Sequence, residues 1–314
     1  MTKDAISKIS LRQLQIFLSA IEHQNFIRAA EHLDLTPPAI SMQMSRLSEA
    51  LGAPLFEKDG RSIQPTAAAT ALVPYAERVI ATLREANDVI EDLQGTLDSL
   101  VRVAMVSTSR NFGPQLLQKF KQLYPEAKLE ISITNRRGVI GQLETGQADL
   151  AIMGRTPRRF EVEAFSFAKH PYVLISHPDH PLTGFKRILR SDLTGHRFLV
   201  REAGSGTRMV HDHFFKSAGL TPPRTQEMDS NANIKQAVMA NMGLAFISAH
   251  TIALERETAK LKVLDVSGMP EVRNWYVLHL RGKKLSPAAL NFRRFVEEEG
   301  PGFMRAFFGE DLSP

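Results

Sequence analysis

The 314-residue sequence contains no cysteine. This absence excludes disulfides, zinc–thiolate sites, iron–sulfur clusters and a cysteine nucleophile. No stretch approaches the roughly 20 apolar residues of a membrane-spanning helix, and the N-terminal segment lacks the continuous apolar run typical of a secretory signal. We therefore expect a cytoplasmic protein without a membrane partner.

The sequence also lacks the common motifs of catalysis. It contains no P-loop pattern, no HExxH and no GxSxG, and Gly204 and Gly206 are not followed by the third glycine of a GxGxxG fingerprint. The histidines within residues 177–180 flank a predicted turn, and His211 and His213 point to different faces of a predicted helix. We expect neither an enzyme nor a resident metal or cofactor.

Charge is distributed unevenly, although the net charge is only +5. Residues 1–70 carry seven basic and seven acidic side chains, residues 71–100 carry two and six, and residues 101–314 carry 30 and 21. The positive excess therefore belongs to the C-terminal two-thirds. It permits an anionic ligand or nucleic acid as a partner without requiring either.

The N-terminal region has the pattern of short helices followed by a hairpin. Apolar residues recur at helical spacing over 11–21, a break follows at 23–25, and a second helix is predicted over 27–33. A third helix begins after Thr36, which is a good N-cap. Residues 55–66 are typical of a two-stranded wing, with Phe56 and Ile63 buried and Asp59–Gly60 in the turn.

The segment FIRAAEHLDLTPPAISMQMS (26–45) is typical of a helix-turn-helix. Ile40, Met44 and Leu47 fall on one face, which leaves the opposite face free to enter the major groove of DNA, while the wing meets phosphates. The alternative is an ordinary three-helix core with a polar face, which the neutral charge of this region favours. The candidate DNA-binding residues are Arg28, Thr36, Pro37, Pro38, Ser41, Gln43, Ser45, Arg46, Lys58 and Arg61.

One long helix is predicted over 67–94, with a kink at Pro74 and an end at Gly95–Thr96. Its apolar residues are spaced alternately by four and three, which favours a coiled coil between two chains. The alternative is a single amphipathic helix packed on its own domain. We call these residues the heptad seam: Leu72, Ala76, Val79, Leu83, Ala86, Ile90 and Leu93.

Residues 100–300 alternate between strand and helix, which predicts an α/β architecture with mostly parallel sheets in two lobes. The predicted helices cover 113–123, 138–146, 206–218, 231–242, 250–258 and 286–298. The predicted strands are Val101–Val106, Leu129–Thr134, Leu150–Met153, Tyr172–Ser176, Phe198–Val200, Leu244–Ser248, Lys262–Val266 and Trp275–Leu280.

The N-terminal sequence LRQLQIFLSAIEHQNFIRAAEHLDLTPPAISMQMSRLSEALGAPLFEKDGRSIQPT closely resembles the DNA-binding domain of LysR-type transcriptional regulators, and the resemblance covers essentially the whole chain. It implies a winged helix-turn-helix over 1–66, a linker helix over 67–95 that forms a homodimer, a two-lobed effector domain over 96–300 of the type 2 periplasmic-binding-protein kind, and a tail over 301–314. The homodimer usually assembles into a homotetramer on double-stranded DNA with an inverted-repeat site, which implies nucleoid association. Pro37 is a departure, since the family usually carries a DNA-contacting glutamine there.

In this resemblance, lobe I comprises about 100–168 and 270–300, and lobe II about 169–268, with the effector between them. Polar groups at the junctions of strands and helices suit an anion, because helix N-termini and arginine both favour negative charge. The alternative is a set of ordinary N-caps and surface arginines. The candidate effector-binding residues are Ser107, Thr108, Ser109, Asn135, Arg155, Arg201, Ser205, Thr207, Arg208, Asn231, Lys235 and His250.

The segments FLVREAGSGTR and SNANIKQAVMANMGLAFISAHTIALE look like the CbbR branch, which regulates carbon-dioxide-fixation operons. That branch implies a small anionic effector such as ribulose bisphosphate, phosphoenolpyruvate, ATP or NADPH. A LysR-type regulator of another operon with a carboxylate effector is the alternative, and a two-lobed solute receptor is a third possibility outside the family. We expect Arg46→Ala to weaken operator binding and Arg208→Ala to weaken effector binding.

Overall fold

The computed structural model describes residues 7–59, 62–93, 100–221 and 224–309. Contacts divide the chain into two compact units, Met1–Gln94 with Glu144–Gln147, and Gly95–Leu143 with Ala148–Pro314. Within the described ranges, no helix is both long and apolar enough to cross a bilayer.

The first unit consists of four helices and a hairpin. Each of its short helices begins at a polar cap. Ser10 and Gln13 form a reciprocal capping box, Asn25 accepts two backbone N–H groups, and Thr36 accepts the Ala39 N–H at 3.4 Å. These caps satisfy first-turn donors that a helix cannot pair itself. The elements are α1 (Leu11–His23), α2 (Phe26–His32), α3 (Pro37–Leu51), β1 (Phe56–Asp59), β2 (Ser62–Pro65) and α4 (Ala67–Leu93).

The core of the first unit lies between α1, α2 and α3, as predicted. Ile40, Met44 and Leu47 are all buried on the inner face of α3. Ala29 and Ala30 are also buried, and their small side chains permit the close approach of α2 to its neighbours.

The predicted wing is confirmed as the antiparallel pair β1–β2. Ile63 is buried, as expected. Phe56 is only half-buried, with its ring 5.9 Å from that of Phe17 and 5.5 Å from that of Phe26. Gly60 of the predicted turn lies beyond the part of the chain that the structure describes.

The long helix α4 runs continuously through Pro74 to Leu93. Ala76 is buried and Leu72 half-buried, so the start of the heptad seam packs within the first unit. The later seam residues Val79, Leu83 and Ile90 are 46–53% exposed, so the described part of the chain leaves about half of each residue uncovered. The Leu93 side chain and the predicted helix end at 95–96 are not among the described parts of the structure.

The second unit contains one large mixed sheet and a smaller one. The strands of this unit are β3 (Leu100–Val106), β4 (Lys128–Thr134), β5 (Leu150–Met153), β6 (Val162–Ser176), β7 (Phe198–Arg201), β8 (Thr225–Met228), β9 (Ala245–Ser248), β10 (Lys262–Val263) and β11 (Glu271–Leu280). The large sheet has the order β10-β6-β11-β5-β3-β4, with β9 paired to β6, and the small one pairs β7 with β8.

The prediction of mostly parallel sheets is wrong. Only the pairs β3–β4, β3–β5 and β7–β8 are parallel, whereas every pairing of β6 and β11 is antiparallel. No helix lies between β5 and β6 or between β10 and β11. A parallel connection needs a crossover of a dozen or more residues, usually a helix, so these two strands are free to run the other way.

Helices of the second unit cover the sheets, and the last one corrects a predicted boundary. The C-terminal helix was expected to end at residue 298, but it continues through Pro301 to Phe308. Phe303, Met304 and Phe308 are buried in the core around Trp275, so packing outweighs the low helix propensity of glycine and proline here. The helices are α5 (Gly113–Leu123), α6 (Arg136–Glu144), α7 (Gly206–Ser217), α8 (Asn231–Met239), α9 (Ala253–Glu257) and α10 (Pro287–Phe308).

Strand boundaries also differ from the sequence prediction. β6 begins ten residues before the predicted Tyr172, and β11 begins at Glu271 rather than Trp275. The early halves of both strands are only partly buried, so they lack the continuous apolar run that marks a buried strand. β8 was not predicted, and its TQEM sequence carries the same weak signal.

Candidate functional sites

The outer face of α3 carries the candidate DNA-binding side chains. Ser41, Ser45 and Arg46 are exposed, and Gln43 is half-buried. The Ser45 hydroxyl donates to Glu49 at 3.4 Å, a weak bond that leaves it free to exchange partners. Hydroxyl, amide and guanidinium groups on one helix face can read base edges in a major groove.

The remaining DNA-binding candidates surround the N-terminus of α3. Thr36, Pro37 and Pro38 are exposed there, and Arg28 is exposed on α2. The structure places the Lys58 backbone in β1, opposite Ile63. It does not describe the Lys58 side chain or Arg61, so the predicted phosphate contacts of the wing stay predictions.

A cleft of about 410 Å³ lies within the second unit. It is formed where β3, β4 and β5 end, where β6 and β11 pair, and where α7 begins. Because the segments are far apart in sequence, only the folded chain brings them together. The lining residues are Val106, Ser107, Thr108, Arg136, Gly154, Arg155, Arg158, His170, Tyr172, Ser205, Gly206, Met209, Val210, His213 and Arg273.

The lining of the cleft is strongly cationic. It includes four arginines, and none of the described lining residues is acidic. Arg155 and Arg158 are exposed, and within the described ranges no carboxylate pairs with either. Arg273 pairs with Glu271. A cleft of this charge favours an anion with several oxygens, since arginine recognises phosphate and carboxylate in a forked geometry.

Arg136 shapes the wall of the cleft. Its guanidinium donates to the carbonyl oxygens of Arg155 and, at 3.0 Å, of Thr156. Burial lowers the pKa of Arg136, and the neighbouring charge of Arg155 lowers that pKa further. These bonds hold the segment after β5 in place, so Arg155 is presented from a fixed backbone.

The N-terminal end of α7 also lies at the cleft. Ser205 occupies the N-cap position but makes no side-chain cap bond. The helix is twelve residues long, and its first N–H groups have no partner within the helix. Together with the positive end of the helix dipole, these donors favour an anion.

The structure brings four of the candidate effector residues to the cleft: Ser107, Thr108, Arg155 and Ser205. A second group lies beside it in a network. Arg201 is 3% exposed and donates to Glu202 at 2.7 Å and to Asn231 at 3.0 Å. Asn135 caps α6 and donates to Glu202 at 3.3 Å.

The other candidates do not line the cleft, and most of them have structural partners. Ser109 is buried and donates to the Val106 carbonyl, and Thr207 is also buried. Lys235 pairs with Glu255 at 2.6 Å, and His250 accepts a hydrogen bond from Trp275. Arg208 pairs with Asp212 at 3.0 Å, so its role in effector binding stays a prediction without support from this geometry.

Eleven of the fifteen lining residues were not predicted from the sequence to bind the effector. They include Arg158, His170, Tyr172 and Arg273. His170 and Arg273 are opposite each other on β6 and β11. The early halves of these strands were not predicted, so nothing in the sequence placed the two side chains together. Among the described residues, no group of His, Asp and Glu is arranged to hold a metal ion.

Two protein-family models match this chain. Residues 11–70 match the model of the LysR family of bacterial regulatory helix-turn-helix proteins, and residues 94–301 match the LysR substrate binding domain. The RuBisCO operon transcriptional regulator of Allochromatium vinosum is 41% identical over 93% of this chain and 96% of its own length. The transcriptional regulator CbbR of Xanthobacter flavus is 42% identical over 94% of this chain and 89% of its own length.

A solved structure supports the fold of the second unit. The regulatory domain of Synechocystis PCC6803 CcmR, in complex with 2-PG, matches with a TM-score of 0.61 and 33% identity. The match covers 63% of this chain and 95% of that domain. This chain belongs to the LysR family of transcriptional regulators.

Proposed function

We propose that this protein controls carbon-dioxide-fixation genes in response to a phosphorylated metabolite that binds in the cleft of the second unit. The observation that carries the proposal is the lining of the cleft, which has four arginines and no carboxylate among its described residues. Relatives named as RuBisCO operon regulators and CbbR support the choice of genes.

The chemistry of the cleft supports a phosphorylated effector. Its volume of about 410 Å³ lies in the range of small-molecule sites. Arg155 and Arg158 have no carboxylate partner among the described residues, so a ligand dianion gains two charge-assisted bonds without breaking an existing pair. The structure of CcmR with 2-PG supports the same class of ligand.

The first unit supports binding to an inverted repeat. In a helix-turn-helix dimer, two recognition helices enter successive major grooves about one helical turn apart. The exposed seam residues Val79, Leu83 and Ile90 of α4 supply an apolar stripe at coiled-coil spacing for the second chain. We propose a homodimer through α4 and a homotetramer on the promoter.

The effector acts by selecting one shape of the assembly. A ligand shifts a conformational equilibrium only by its difference in affinity for the two states. In this proposal the metabolite binds one spacing of the two lobes more tightly, and the DNA-binding pairs change their relative angle as a result. By reciprocity, promoter DNA changes the affinity for the metabolite by the same factor.

The test is thermal unfolding of the full-length protein with ribulose bisphosphate, phosphoenolpyruvate, ATP, NADPH, inorganic phosphate and an aromatic carboxylate. Binding to the folded state stabilises it by about 2.7 kcal/mol at a hundredfold excess over Kd. We expect a phosphorylated compound to raise Tm and to change the promoter footprint. Arg155→Ala should remove most of the shift, whereas Arg256→Ala, which removes an exposed arginine outside the cleft lining, should retain it.

A shift with the aromatic carboxylate alone would contradict the phosphorylated effector. It would favour the second candidate function, a LysR-type regulator of another metabolic operon. The cleft permits this candidate because arginine also binds carboxylates. The solute-receptor alternative has no support, because it leaves the family match of residues 11–70 without a role.

A further inference from the structure

The outer face of α3 is apolar where the helix begins. Pro37 and Pro38 occupy its first turn and are exposed, and Met42 is 47% exposed. Within the segment PPAISM (37–42), Ser41 carries the only polar side chain. The end of α3 that is proposed to meet DNA therefore presents more carbon than hydrogen-bonding groups.

Helical spacing places Met42 at the centre of this face. With about 100° between successive residues, Met42 lies about 160° around the helix from both Ile40 and Met44, whose side chains are buried in the core of the first unit. Met42 therefore points away from that core. Pro38 precedes it by four residues, a spacing that makes two side chains neighbours on a helix face.

Pro38 and Met42 lie outside the hydrophobic core that the described residues of the first unit form. The N-terminal residues of a recognition helix contact base edges in the major groove. Those edges display hydrogen-bond donors and acceptors, and their one apolar group is the C5-methyl of thymine. An apolar pair at this position of the helix therefore matches thymine rather than the other three bases.

We propose that Met42, with Pro38 beside it, recognises one thymine in each operator half-site by contact with its C5-methyl group. This inference rests on the proposed function, because it requires α3 to enter the major groove. The methionine side chain is unbranched and flexible, so it can adjust to the position of the methyl group. The contact adds an apolar element to a face whose exposed candidates Ser41, Ser45 and Arg46 recognise hydrogen-bonding groups.

Met42 and Arg46 are expected to differ in how salt affects their contributions to DNA binding. Arg46 is exposed one turn further along α3, and an arginine that neutralises a phosphate releases counterions, so its contribution falls as salt rises. Burial of a methyl group releases no counterion. Contact with one thymine methyl should improve affinity about fourfold, the effect of removing one methyl-sized group from water.

The test begins with an operator that the wild-type, full-length protein selects from a library of random DNA duplexes. Each thymine of the half-site is then replaced in turn by deoxyuridine, which keeps the O4 acceptor and lacks the C5-methyl group. We expect one position at which the replacement weakens binding of the wild type about fourfold per half-site. Met42→Ala should weaken binding to the thymine operator to a similar extent and should not respond to deoxyuridine at that position, which is the signature of a direct pair in a double-mutant cycle.

Two further variants control for changes unrelated to the thymine contact. Met42→Leu keeps an apolar side chain of similar volume and should retain most of the preference for thymine over deoxyuridine. Met242→Ala removes a methionine of similar exposure, 42%, from the second unit, and should bind like the wild type. The slope of log Kd against log salt concentration should be unchanged in Met42→Ala, because the substitution removes no charge.

The outcomes separate this inference from the proposed function. An equal response of wild type and Met42→Ala to deoxyuridine at every position would overturn the thymine contact, while binding of α3 to an inverted repeat would still stand. Wild-type affinity of Met42→Ala for the selected operator would overturn it as well. A wild-type protein that selects no common sequence would contradict operator recognition by α3 and this contact together. Thermal unfolding of each variant without DNA shows whether it is folded, and substitutions at these exposed positions are expected to leave Tm unchanged.

Discussion

In the first unit, the candidate DNA-binding side chains of Ser41, Ser45 and Arg46 occupy the exposed face of α3, and the buried face of the same helix contributes to the core. In the second unit, the cleft is built from six separate segments, and some of its lining residues, such as His170 and Tyr172, are themselves buried. In the first unit, different residues therefore form the core and face the proposed DNA partner. In the second unit, some residues both belong to the core and line the cleft. We expect substitutions to separate stability from binding in the first unit more cleanly than in the cleft.

The largest effect is expected from Leu47→Ala, on the inner face of α3. Leu47 is fully buried, so its truncation leaves a cavity and should lower the free energy of unfolding by about 2–5 kcal/mol. Arg46→Ala, at the neighbouring exposed position, should cost less than about 0.5 kcal/mol and still weaken operator binding. Denaturation followed by far-UV circular dichroism, with DNA titration of each variant, measures both quantities.

An Arg46→Ala protein that is as destabilised as Leu47→Ala would break the comparison. It would show that the outer face of α3 contributes to the core. A Leu47→Ala protein with wild-type stability would also contradict the comparison, since it would show that the buried face of α3 does not stabilise the first unit.

This separation also explains what the sequence could predict. The first unit depends on neighbours in sequence: the Thr36 cap, the Ile40–Met44–Leu47 spacing and the wing were all read from short segments. The cleft depends on strand pairing between residues about a hundred positions apart, such as His170 and Arg273. No local pattern reports such a register, so four of the twelve predicted effector residues line the cleft and the others lie beside it or elsewhere.

Several polar residues that were predicted to bind the effector do not line the cleft. Arg201, Arg208 and Lys235 have the chemistry of anion binding, and each is engaged by an internal carboxylate. Whether an arginine is free or paired is a property of the fold and not of its local sequence. Conversely, the C-terminal helix extends past its glycines because Phe303 and Phe308 pack into the hydrophobic core of the second unit.

Acid is expected to destabilise the second unit through the buried His250, which is hydrogen-bonded to Trp275. Burial lowers the pKa of His250 to about 4, below the value near 6.5 of an unfolded histidine. As pH falls below 6.5, His250 becomes protonated in the unfolded chain. In the folded protein it stays neutral until about pH 4, so acid favours the unfolded state. The free energy of unfolding should therefore fall by about 3 kcal/mol over this range from His250 alone, and His170 should add to the loss because its pKa is also lowered.

Fluorescence of Trp275 follows this transition within the second unit, because its Nε1 donates to His250 at 3.1 Å. His250→Asn retains an acceptor for that bond but does not titrate, so it should lose stability less steeply between pH 6.5 and 4. A variant and wild type with the same pH dependence would show that His250 is not the source of the acid sensitivity.

The smallest effect is expected at Thr36, a residue of the first unit that both caps a helix and is a candidate DNA contact. Its hydroxyl accepts the Ala39 N–H at 3.4 Å and is also exposed at the end of α3 that is proposed to meet DNA. Thr36→Ala should lower the free energy of unfolding by about 1 kcal/mol and weaken operator binding together, whereas Thr36→Ser keeps the hydroxyl and should do neither. Weaker DNA binding with unchanged stability would show that this long cap bond contributes nothing and that Thr36, like Arg46, belongs only to the contact surface.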